Sequence, residues 1–381
     1  MKSVLKRGVS HLSALAVGVA MVAGVTGSAF AADQITIRIA SDHGYAPHPA
    51  ALTEIFFAER LAEEIPGSVV RSFPQKSLYS VPAAVEAATE GNVEMVWGQF
   101  GKTAQIDPYM SVVVGPMLMT TPGAINSLDE TETYKMLVSR FEKRHGMKIL
   151  GSMHLSFYMG AGSGSRLLKP ADFAGKKIRS MGPAENAALS AWGANPTTMA
   201  FGDVPPALQT KVIDGLLTSL GGFNVVKDQA PYFTVAGING IVGDYYYIGA
   251  SLVWWNTLTK EQQDIIERLW VDEAIPFAKE ANWCNDKQLI DRFGTEDPSK
   301  PGIYVMAPAE AKVLADKLGD ATQQWIKSNT PKGAHEWVDT FVTEARAASE
   351  ANPIGSNWLE KTDCSKYAPW FAKYAKKKKK K

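Results

Sequence analysis

Strand and helix patterns alternate along the first half of the chain, and this alternation limits the fold more than any other feature. Isoleucines alternate with polar residues at 34–40, as in a strand, and apolar residues recur at helical spacing over 50–64. A strand at 67–74, a helix at 82–90 and an apolar strand at 93–101 continue the series. We therefore expect an α/β fold with mixed, mainly parallel sheets, whose ligand crevices lie at the carboxyl ends of the strands.

A cation stands where one of the later strands ends. Residues 177–179 predict a short strand, Gly182 and Pro183 break it, and residues 184–189 begin an Ala-rich helical pattern. Arg179 therefore falls where a strand meets a helix N-terminus, a position whose free N–H groups favour anions. These residues leave two interpretations open: Arg179 binds an anion in the crevice, or it is a solvated arginine at a strand end.

The second half of the chain predicts a long helix. Thr259 and Gln262 form a capping-box pattern before apolar residues at helical spacing, which continue past residue 280. Pro276 lies inside this pattern and predicts a kink. A helix of that length can cross from one domain to another, and no Pro/Gly/Ser-rich linker divides the chain. We therefore predict two interleaved domains rather than two sequential ones.

The first 31 residues have the pattern of a secretory signal peptide. Lys2, Lys6 and Arg7 precede an apolar run over residues 12–25, and Ala29-Phe30-Ala31 follows as a cleavage site. The apolar run is short for a membrane-spanning helix. We expect cleavage after Ala31, export to the periplasm and no stable membrane insertion of the mature chain.

The formal charge of the mature chain argues against a nucleic-acid partner. Residues 1–31 hold three of the 40 Lys and Arg and none of the 39 Asp and Glu, which leaves a net charge of −2 after cleavage. Six of the remaining cations form the terminal run Lys376–Lys381, so the rest of the chain stands at about −8. We expect this run to be disordered and solvated, with contact to anionic lipid as the alternative.

The chain has two cysteines, Cys284 and Cys364. In an oxidising compartment an even number of cysteines commonly forms disulfides, so this pair is a candidate bridge. Two separate buried thiols are the alternative. Two cysteines are too few to build a metal cluster, and we predict no metal site.

Motifs that resemble catalytic sites fail on inspection. Residues 101–103 match the end of a phosphate-binding loop whose first glycine is missing, and residues 335–339 supply only one histidine of a zinc motif. Residues 160–165 lack the spacing of a serine nucleophile. His43 and His48 share a loop at a strand end, where they are either ligand contacts or, as we prefer, satisfied loop histidines. We predict no catalytic residues and no cofactor, which favours a binding protein.

Aromatic residues are concentrated at the predicted strand ends. Ligand pockets are mostly apolar and aromatic with a few polar anchors, although an aromatic residue in an α/β domain is more often part of the core. We therefore expect about a third of these residues to contact a ligand. The aromatic residues at or next to strand ends are Tyr45, Trp97, Phe100, Phe157, Tyr158, Phe201, Tyr245, Tyr246 and Tyr247.

Residues 168–219 resemble the solute-binding proteins of TRAP transporters, the tripartite ATP-independent periplasmic systems. The similarity follows the family pattern of a strand ending in arginine, a helix with a Gly-Ala-x-Pro end and a Leu-Gln-Thr…Asp-Gly segment. Weaker similarity extends from Gln34 to about Ala345. The matching residues are Gly175, Arg179, Gly193, Ala194, Pro196, Phe201, Leu208, Gln209, Thr210, Asp214 and Gly215.

The resemblance implies two α/β domains, joined by crossing strands and a long helix, that close on a ligand. It implies that Arg179 pairs with a ligand carboxylate and that Phe201 packs on the ligand. A domain I of residues 32–155 plus about 243–275, a domain II of 156–242 plus about 276–350 and an extension of 351–381 follow from it. The other candidate ligand contacts are Tyr45, Trp97, Tyr158, Gly182, Thr218 and Ser219.

Two departures from the family pattern bear on the ligand. The second arginine of some members would fall near Met159 here, and Arg166 lies too close to Arg179 to replace it. Thr218 stands where an asparagine is common, with Ser219 beside it. Both departures disfavour a dicarboxylate or a sialic acid, so we expect a monocarboxylate or similar acid with an apolar or hydroxylated body.

The expected function is that of a periplasmic receptor that captures a small organic anion and delivers it to the small and large TRAP membrane subunits. Two other classes of function stay open at this point. A ligand-sensing module would present its bound form to a signalling receptor. A secreted enzyme would need a nucleophile or acid–base set, which the motifs do not supply.

Overall fold

A computed structural model describes residues 34–375 of the protein. The predicted signal peptide with its cleavage site after Ala31 and the lysines Lys376–Lys381 lie outside the described residues. The strands are β1 (Thr36–Ser41), β2 (Val69–Phe73), β3 (Met95–Gln99), β4 (Met147–His154), β5 (Gly160–Ser163), β6 (Lys177–Ser180), β7 (Asn195–Thr198), β8 (Gly215–Thr218), β9 (Tyr232–Val235), β10 (Tyr245–Ser251) and β11 (Gly302–Val305).

These strands form a five-stranded sheet of order β2-β1-β3-β10-β4 and a six-stranded sheet of order β11-β9-β5-β8-β6-β7. β1 pairs in parallel with β2 and β3, and β6 pairs in parallel with β7 and β8. β10 and β5 run antiparallel to both of their neighbours. The expected α/β fold with mixed sheets is confirmed.

The chain passes between the two sheets three times. It leaves the five-stranded sheet after β4, builds β5 to β9 of the six-stranded sheet, and returns to the first sheet as β10. The first two crossing segments are residues 155–159 and 236–244. The third passage runs through residues 252–301, from β10 of the five-stranded sheet to β11 of the six-stranded sheet. The domain bounds that were predicted near these crossings stay a prediction.

Helices cover the sheets and connect the strands. Among the described residues, no helix is both long enough and apolar enough to cross a bilayer. The α-helices are α1 (Pro49–Glu64), α2 (Val81–Thr89), α3 (Phe100–Thr103), α4 (Pro122–Asn126), α5 (Glu132–His145), α6 (Pro170–Phe173), α7 (Pro183–Ala191), α8 (Val204–Gln209), α9 (Leu220–Val226), α10 (Leu252–Trp255), α11 (Lys260–Arg268), α12 (Ile275–Phe293), α13 (Pro308–Leu318), α14 (Ala321–Asn329), α15 (His335–Ala351) and α16 (Ala368–Ala375). Short 3₁₀ turns cover Pro108–Ser111, Leu128–Glu130, Phe201–Asp203, Lys332–Ala334, Trp358–Lys361 and Cys364–Lys366.

The predicted long helix is α11 and α12 joined by a π-helical stretch, Leu269–Ala274. The predicted capping box starts it, because Thr259 Oγ1 accepts from Gln262 N at 3.2 Å and Gln262 Oε1 accepts from Thr259 N at 2.9 Å. The irregularity expected at Pro276 takes the form of this π stretch just before it. Proline lacks an N–H and its ring crowds the carbonyl four residues earlier, so a regular ladder cannot continue through it.

Helix α12 contacts both sheets. At its start, Ile275 packs over Gly151 of β4, where a side chain on the glycine would come within 2.4 Å of Ile275 Cδ1. Near its end, Leu289 packs in a cluster with Phe223 and Phe233, which belong to the six-stranded side. Burial of side chains of this size contributes about 1.5–3 kcal/mol each. A single helix is therefore held by the cores of both sheets.

The C-terminal segment, residues 352–375, lies against α1 and α12. Cys364 is joined to Cys284 of α12 in a disulfide with a sequence separation of 80. The Tyr367 hydroxyl donates to Glu280 of α12, and the Trp370 ring packs on Phe277 with centroids 5.1 Å apart. We call this segment the C-terminal strap, since it fastens the chain end to the long helix.

Removal of the strap disulfide should destabilise the protein. The Cys284→Ser, Cys364→Ser double variant should lose about 4 kcal/mol of unfolding free energy, because the bridge closes a loop of about 80 residues in the unfolded chain. Urea unfolding of the oxidised wild type and the variant measures this loss. Thiol titration of denatured, unreduced wild type should find no free thiol, and two free thiols would contradict the bridge.

Candidate ligand-binding site

A cavity of about 90 Å³ lies between the carboxyl ends of strands from both sheets. The loop after β1, the end of β3, helix α3 and strand β10 form the wall on the five-stranded side. Strand β6, the end of β8 and helix α9 form the wall on the six-stranded side. The side chains that bear on its chemistry are Asp42, His48, Gln99, Lys102, Arg179, Phe201, Thr218, Ser219 and Tyr246.

Arg179 is the cation of the six-stranded wall. Its side chain is buried, with 1% of the residue exposed. Nε donates to Met199 O and Nη1 to Leu217 O, both at 2.9 Å, whereas Nη2 has no partner within residues 34–375. Burial lowers the pKa of Arg179 to about 10, so the guanidinium stays charged at neutral pH. The two backbone carbonyls therefore hold the guanidinium in place, and its Nη2 can donate a hydrogen bond to a bound ligand.

Lys102 and Asp42 form a buried ion pair in the opposite wall. Lys102 Nζ lies 2.5 Å from Asp42 Oδ2, and both side chains are 5% exposed or less. Asp42 directly follows β1, and Lys102 lies in α3 directly after β3, so the parallel pairing of β1 with β3 brings them together. Burial lowers the pKa of Lys102, and the charge of Asp42 opposes that shift. The charges of this pair cancel each other.

Two histidines follow β1 and stack with ring centroids 5.6 Å apart. His43 Nε2 lies 2.9 Å from Glu54 Oε1 in a fully buried pair. Burial alone would lower the pKa of His43, but the charge and hydrogen bond of Glu54 outweigh it and raise that pKa. His48 Nδ1 accepts from Ala50 N at 3.2 Å, and burial lowers its pKa to about 3, so this ring is neutral. The histidine pair adds no unbalanced charge to the cavity.

The remaining polar groups of the cavity are neutral. Gln99 is 4% exposed, its Oε1 makes no hydrogen bond of good geometry among the described residues, and its side chain interacts with the Tyr246 hydroxyl. Ser219 Oγ accepts from Gly222 N at 3.1 Å and so caps α9. A side chain at Gly222 would come within 2.0 Å of Thr218 Oγ1 and 3.2 Å of the Phe201 ring. Glycine is required there because Thr218 and Phe201 converge on the same point of α9.

The structure brings five of the eight predicted contacts to this cavity. Arg179, Phe201, Thr218 and Ser219 line it, and half-exposed Tyr45 lies at its edge.

The other three predicted contacts, Trp97, Tyr158 and Gly182, do not line it. Trp97 is on the same face of β3 as Gln99 but two residues deeper, where it packs edge-on against His43 and Trp270. Tyr158 stacks on Trp283 of α12, and Gly182 is the residue before α7.

Sequence reasoning missed six polar residues of the cavity, namely Asp42, Gln75, Gln99, Lys102, Asn224 and Asn285, whereas Tyr246 was among the strand-end aromatic residues. A usable signal existed for three of them, because Asp42, Gln99 and Lys102 stand at or just after the carboxyl ends of strands. In the sequence, Lys102 stands out only as part of an incomplete phosphate-binding motif. Arg166 is engaged elsewhere: it donates to the backbone carbonyls of Phe233, Pro298, Lys300 and Gly302.

No group of three or more His, Cys, Asp or Glu side chains within residues 34–375 is arranged to hold a metal ion. The described lining of the cavity offers the cation of Arg179, the ion pair of Lys102 with Asp42, and neutral hydrogen-bonding groups.

Residues 43–327 match the family of bacterial extracellular solute-binding proteins, family 7. The chain belongs to this family. Its resemblance to the solute-binding proteins of TRAP transporters is confirmed, and the family is one of periplasmic binding proteins for transport.

Three similar proteins illustrate the match. The 2,3-diketo-L-gulonate-binding periplasmic protein of Escherichia coli K12 is 23% identical over 83% of this chain and 94% of its own length. The C4-dicarboxylate-binding periplasmic protein of Vibrio cholerae is 25% identical over 77% of this chain and 87% of its own. The crystal structure of a sugar acid binding protein from Advenella mimigardefordensis with galactonate has a TM-score of 0.73 at 19% identity and covers 84% of this chain and 100% of its own. The fold is therefore shared along the whole length of that protein.

Removal of the buried lysine should destabilise the free protein. Lys102→Met should lower the unfolding free energy by about 3–5 kcal/mol, because Asp42 would remain buried without its cation. Urea unfolding at pH 7 measures the change.

The double variant Lys102→Met, Asp42→Asn should recover most of that loss, since it also removes the stranded charge. Lys312→Met is the matched control: its pair with Asp316 is exposed, so the change should stay below about 1 kcal/mol. Equal losses in the single and double variants would contradict the assignment.

Proposed function

We propose that this protein is a periplasmic receptor that captures a small, hydroxylated organic acid with a single negative charge and delivers it to the membrane subunits of a TRAP transporter. The observation that carries the proposal is Arg179, a buried guanidinium with one nitrogen free of protein partners. Leaving such a nitrogen unpaired is costly, so a ligand that supplies an acceptor gains the benefit of a charge-assisted bond.

A single negative charge matches the cavity. Arg179 is the lining cation whose described hydrogen bonds go only to neutral carbonyls, whereas Lys102 is already paired with Asp42. A second carboxylate at Lys102 would have to compete with Asp42 at 2.5 Å. A monocarboxylate therefore fits the described lining better than a dicarboxylate does.

A hydroxyl group on the ligand matches the opposite wall. Gln99 Oε1 is buried and makes no hydrogen bond of good geometry among the described residues, and a ligand hydroxyl would supply a well-placed donor. On the wall that holds Arg179, Thr218 offers a further hydroxyl and Phe201 offers an apolar face. Two of the similar proteins support this class, since one is named for 2,3-diketo-L-gulonate and another holds galactonate.

Export is part of the proposal. The basic, apolar and Ala-x-Ala segments of residues 1–31 support a signal peptide that is cleaved after Ala31. The bridge between Cys284 and Cys364 agrees with an oxidising compartment such as the periplasm. We infer a binding protein rather than an enzyme, because the family is one of solute-binding proteins.

Arg179 should determine binding. We expect a thermal-shift screen of sodium salts of propionate, lactate, hexanoate, gluconate, galactonate and succinate to yield binders, which calorimetry then quantifies. Arg179→Ala should weaken the strongest binder by about 10²-fold or more, because its carboxylate would be buried without a partner. Arg179→Lys should also bind poorly, since a point charge does not reproduce a planar fork.

Arg346→Ala is the matched control, because Arg346 is an exposed residue of α15. Its affinity should equal that of the wild type. If folded Arg179→Ala protein binds the ligand with wild-type affinity, that result contradicts the proposed anion site.

Gln99 should distinguish hydroxylated acids from their deoxy counterparts. The wild type should bind gluconate or galactonate more tightly than hexanoate, because only the sugar acids can donate to Gln99 Oε1. Gln99→Met should weaken the sugar acid by about tenfold, the equivalent of one neutral hydrogen bond, and leave hexanoate nearly unchanged. Calorimetry measures both ligands on both proteins, and a preference for hexanoate in the wild type would contradict the hydroxylated class.

A further inference from the structure

Two carboxyl groups meet behind the cavity, where an element of the six-stranded side touches one of the five-stranded side. Glu185 lies in the first turn of α7, which follows β6, and Asp244 directly precedes β10. Both are buried, with 0% and 1% of the residue exposed. Neither lines the cavity, so the proposed ligand contacts leave both unused.

Two glycines bring the carboxyl groups together. Gly182, just before α7, lies against Gly101 of α3 so closely that a side chain on it would come within 2.2 Å of Gly101 O. A side chain on Gly101 would come within 2.7 Å of Asp244 Oδ2 and 3.0 Å of Glu185 Oε1. Gly101 N also donates to Asp244 Oδ1 at 3.0 Å. Both carboxyl groups therefore flank one backbone contact between the two sides.

The oxygens of this pair need a proton. Glu185 Oε1 and Oε2 and Asp244 Oδ2 are buried and make no hydrogen bond of good geometry within residues 34–375, although the Glu185 carboxyl lies near its own backbone N–H. Two ionised carboxylates would repel each other there, whereas one shared proton turns the contact into a hydrogen bond. Burial raises the pKa of Glu185 to about 8 and also raises the pKa of Asp244.

Other charged groups face the pair without replacing that proton. Lys102 of α3 and Arg179 of β6 act on it from the cavity side, and each already has hydrogen-bond partners. Tyr245 of β10 donates its backbone N–H to Asp244, and burial raises the pKa of its hydroxyl, so that hydroxyl is neutral. On α14, which packs along α7, Lys327 is engaged by Asp339.

We propose that Glu185 and Asp244 form a proton-binding site that fastens α7 to the segment before β10, so that uptake of one proton favours the enclosed form of the cavity. Two carboxyl groups that interact this closely bind protons as a pair rather than independently. The part of this proposal that concerns enclosure rests on the proposed receptor function, whereas the proton site does not.

The direction in which stability changes with pH follows from the higher proton affinity of the pair in the native state. The native state holds a proton that the unfolded or separated carboxylates release at ordinary carboxyl pKa values. Stability from the pair is therefore complete below about pH 4.5 and is lost as the pH rises towards about 8. Within that window the folding equilibrium constant should fall by up to about tenfold per pH unit.

Urea unfolding of the full mature chain between pH 5.5 and 8.5 tests the proton site. Glu185→Gln keeps a donor towards Asp244 but binds no proton, so its stability should lack this fall. The ratio of folding constants, wild type over Glu185→Gln, should drop by roughly 100-fold from pH 5.5 to 8.5. Parallel curves for the two proteins overturn the proposal.

Two further variants keep this test decisive. Asp244→Asn should give the same loss of pH dependence, which covers the case that Glu185→Gln does not fold. Glu296→Gln removes an exposed carboxylate and should run parallel to the wild type. Buried Asp286, whose pKa burial raises to about 7, is present in every variant and cancels in the comparison.

Small-angle scattering without added ligand tests the link to enclosure. The wild type should have a larger radius of gyration at pH 8.5 than at pH 6, and Glu185→Gln should stay compact at both. An unchanged wild-type radius overturns the fastening role. Neither readout uses a ligand, so failure of the Arg179 calorimetry would overturn the proposed function and leave these outcomes intact.

Discussion

A guanidinium that is fully buried and only partly satisfied is the constraint on which the candidate site depends. Desolvation of a charge costs several kcal/mol, so the surroundings of Arg179 must offset that cost. Two backbone carbonyls, Met199 O and Leu217 O, take two of its nitrogens. Those carbonyls are in place only because β6 pairs with β7 and β8, so the order of the six-stranded sheet determines where the free nitrogen lies.

On the opposite wall, the buried charges are neutralised in pairs. Lys102 and Asp42 neutralise each other, and His43, which also lines the cavity, does the same with Glu54 behind it. These pairs bring polar groups to the cavity without an unbalanced charge. The result is an asymmetric cavity, with a cation on one wall and neutral or compensated groups on the other. Such an arrangement orients a ligand that is charged at one end only.

Local patterns explain how much of this could be predicted. The strands and helices follow from periodicity, and Arg179 follows from a strand end next to a helix N-terminus. Sheet order is a long-range property: the antiparallel insertion of β10 between β3 and β4 has no signature in its own residues. The Lys102–Asp42 pair was missed for the same reason, because it exists only when β1 and β3 are neighbours.

Depth within a layer is equally hard to predict. Trp97 and Gln99 share one face of β3, yet only Gln99 reaches the cavity. The aromatic character of Trp97 made it look like a ligand contact, whereas its position on the strand places its ring under His43 and Tyr246. Residue type alone does not distinguish a residue that lines a pocket from one that packs beneath the lining.

The C-terminal strap has a mechanical consequence. It attaches to α12 at Phe277, Glu280 and Cys284, and Asn285, the next residue, is part of the cavity wall. The contacts of the strap with α12 therefore end next to the cavity wall, whereas residues 286–293 are held by the first crossing segment through Asp286 and by the six-stranded side through Leu289. The strap thus braces the helix as far as the cavity wall, and the crossing segment and the core of the six-stranded side hold the part beyond it.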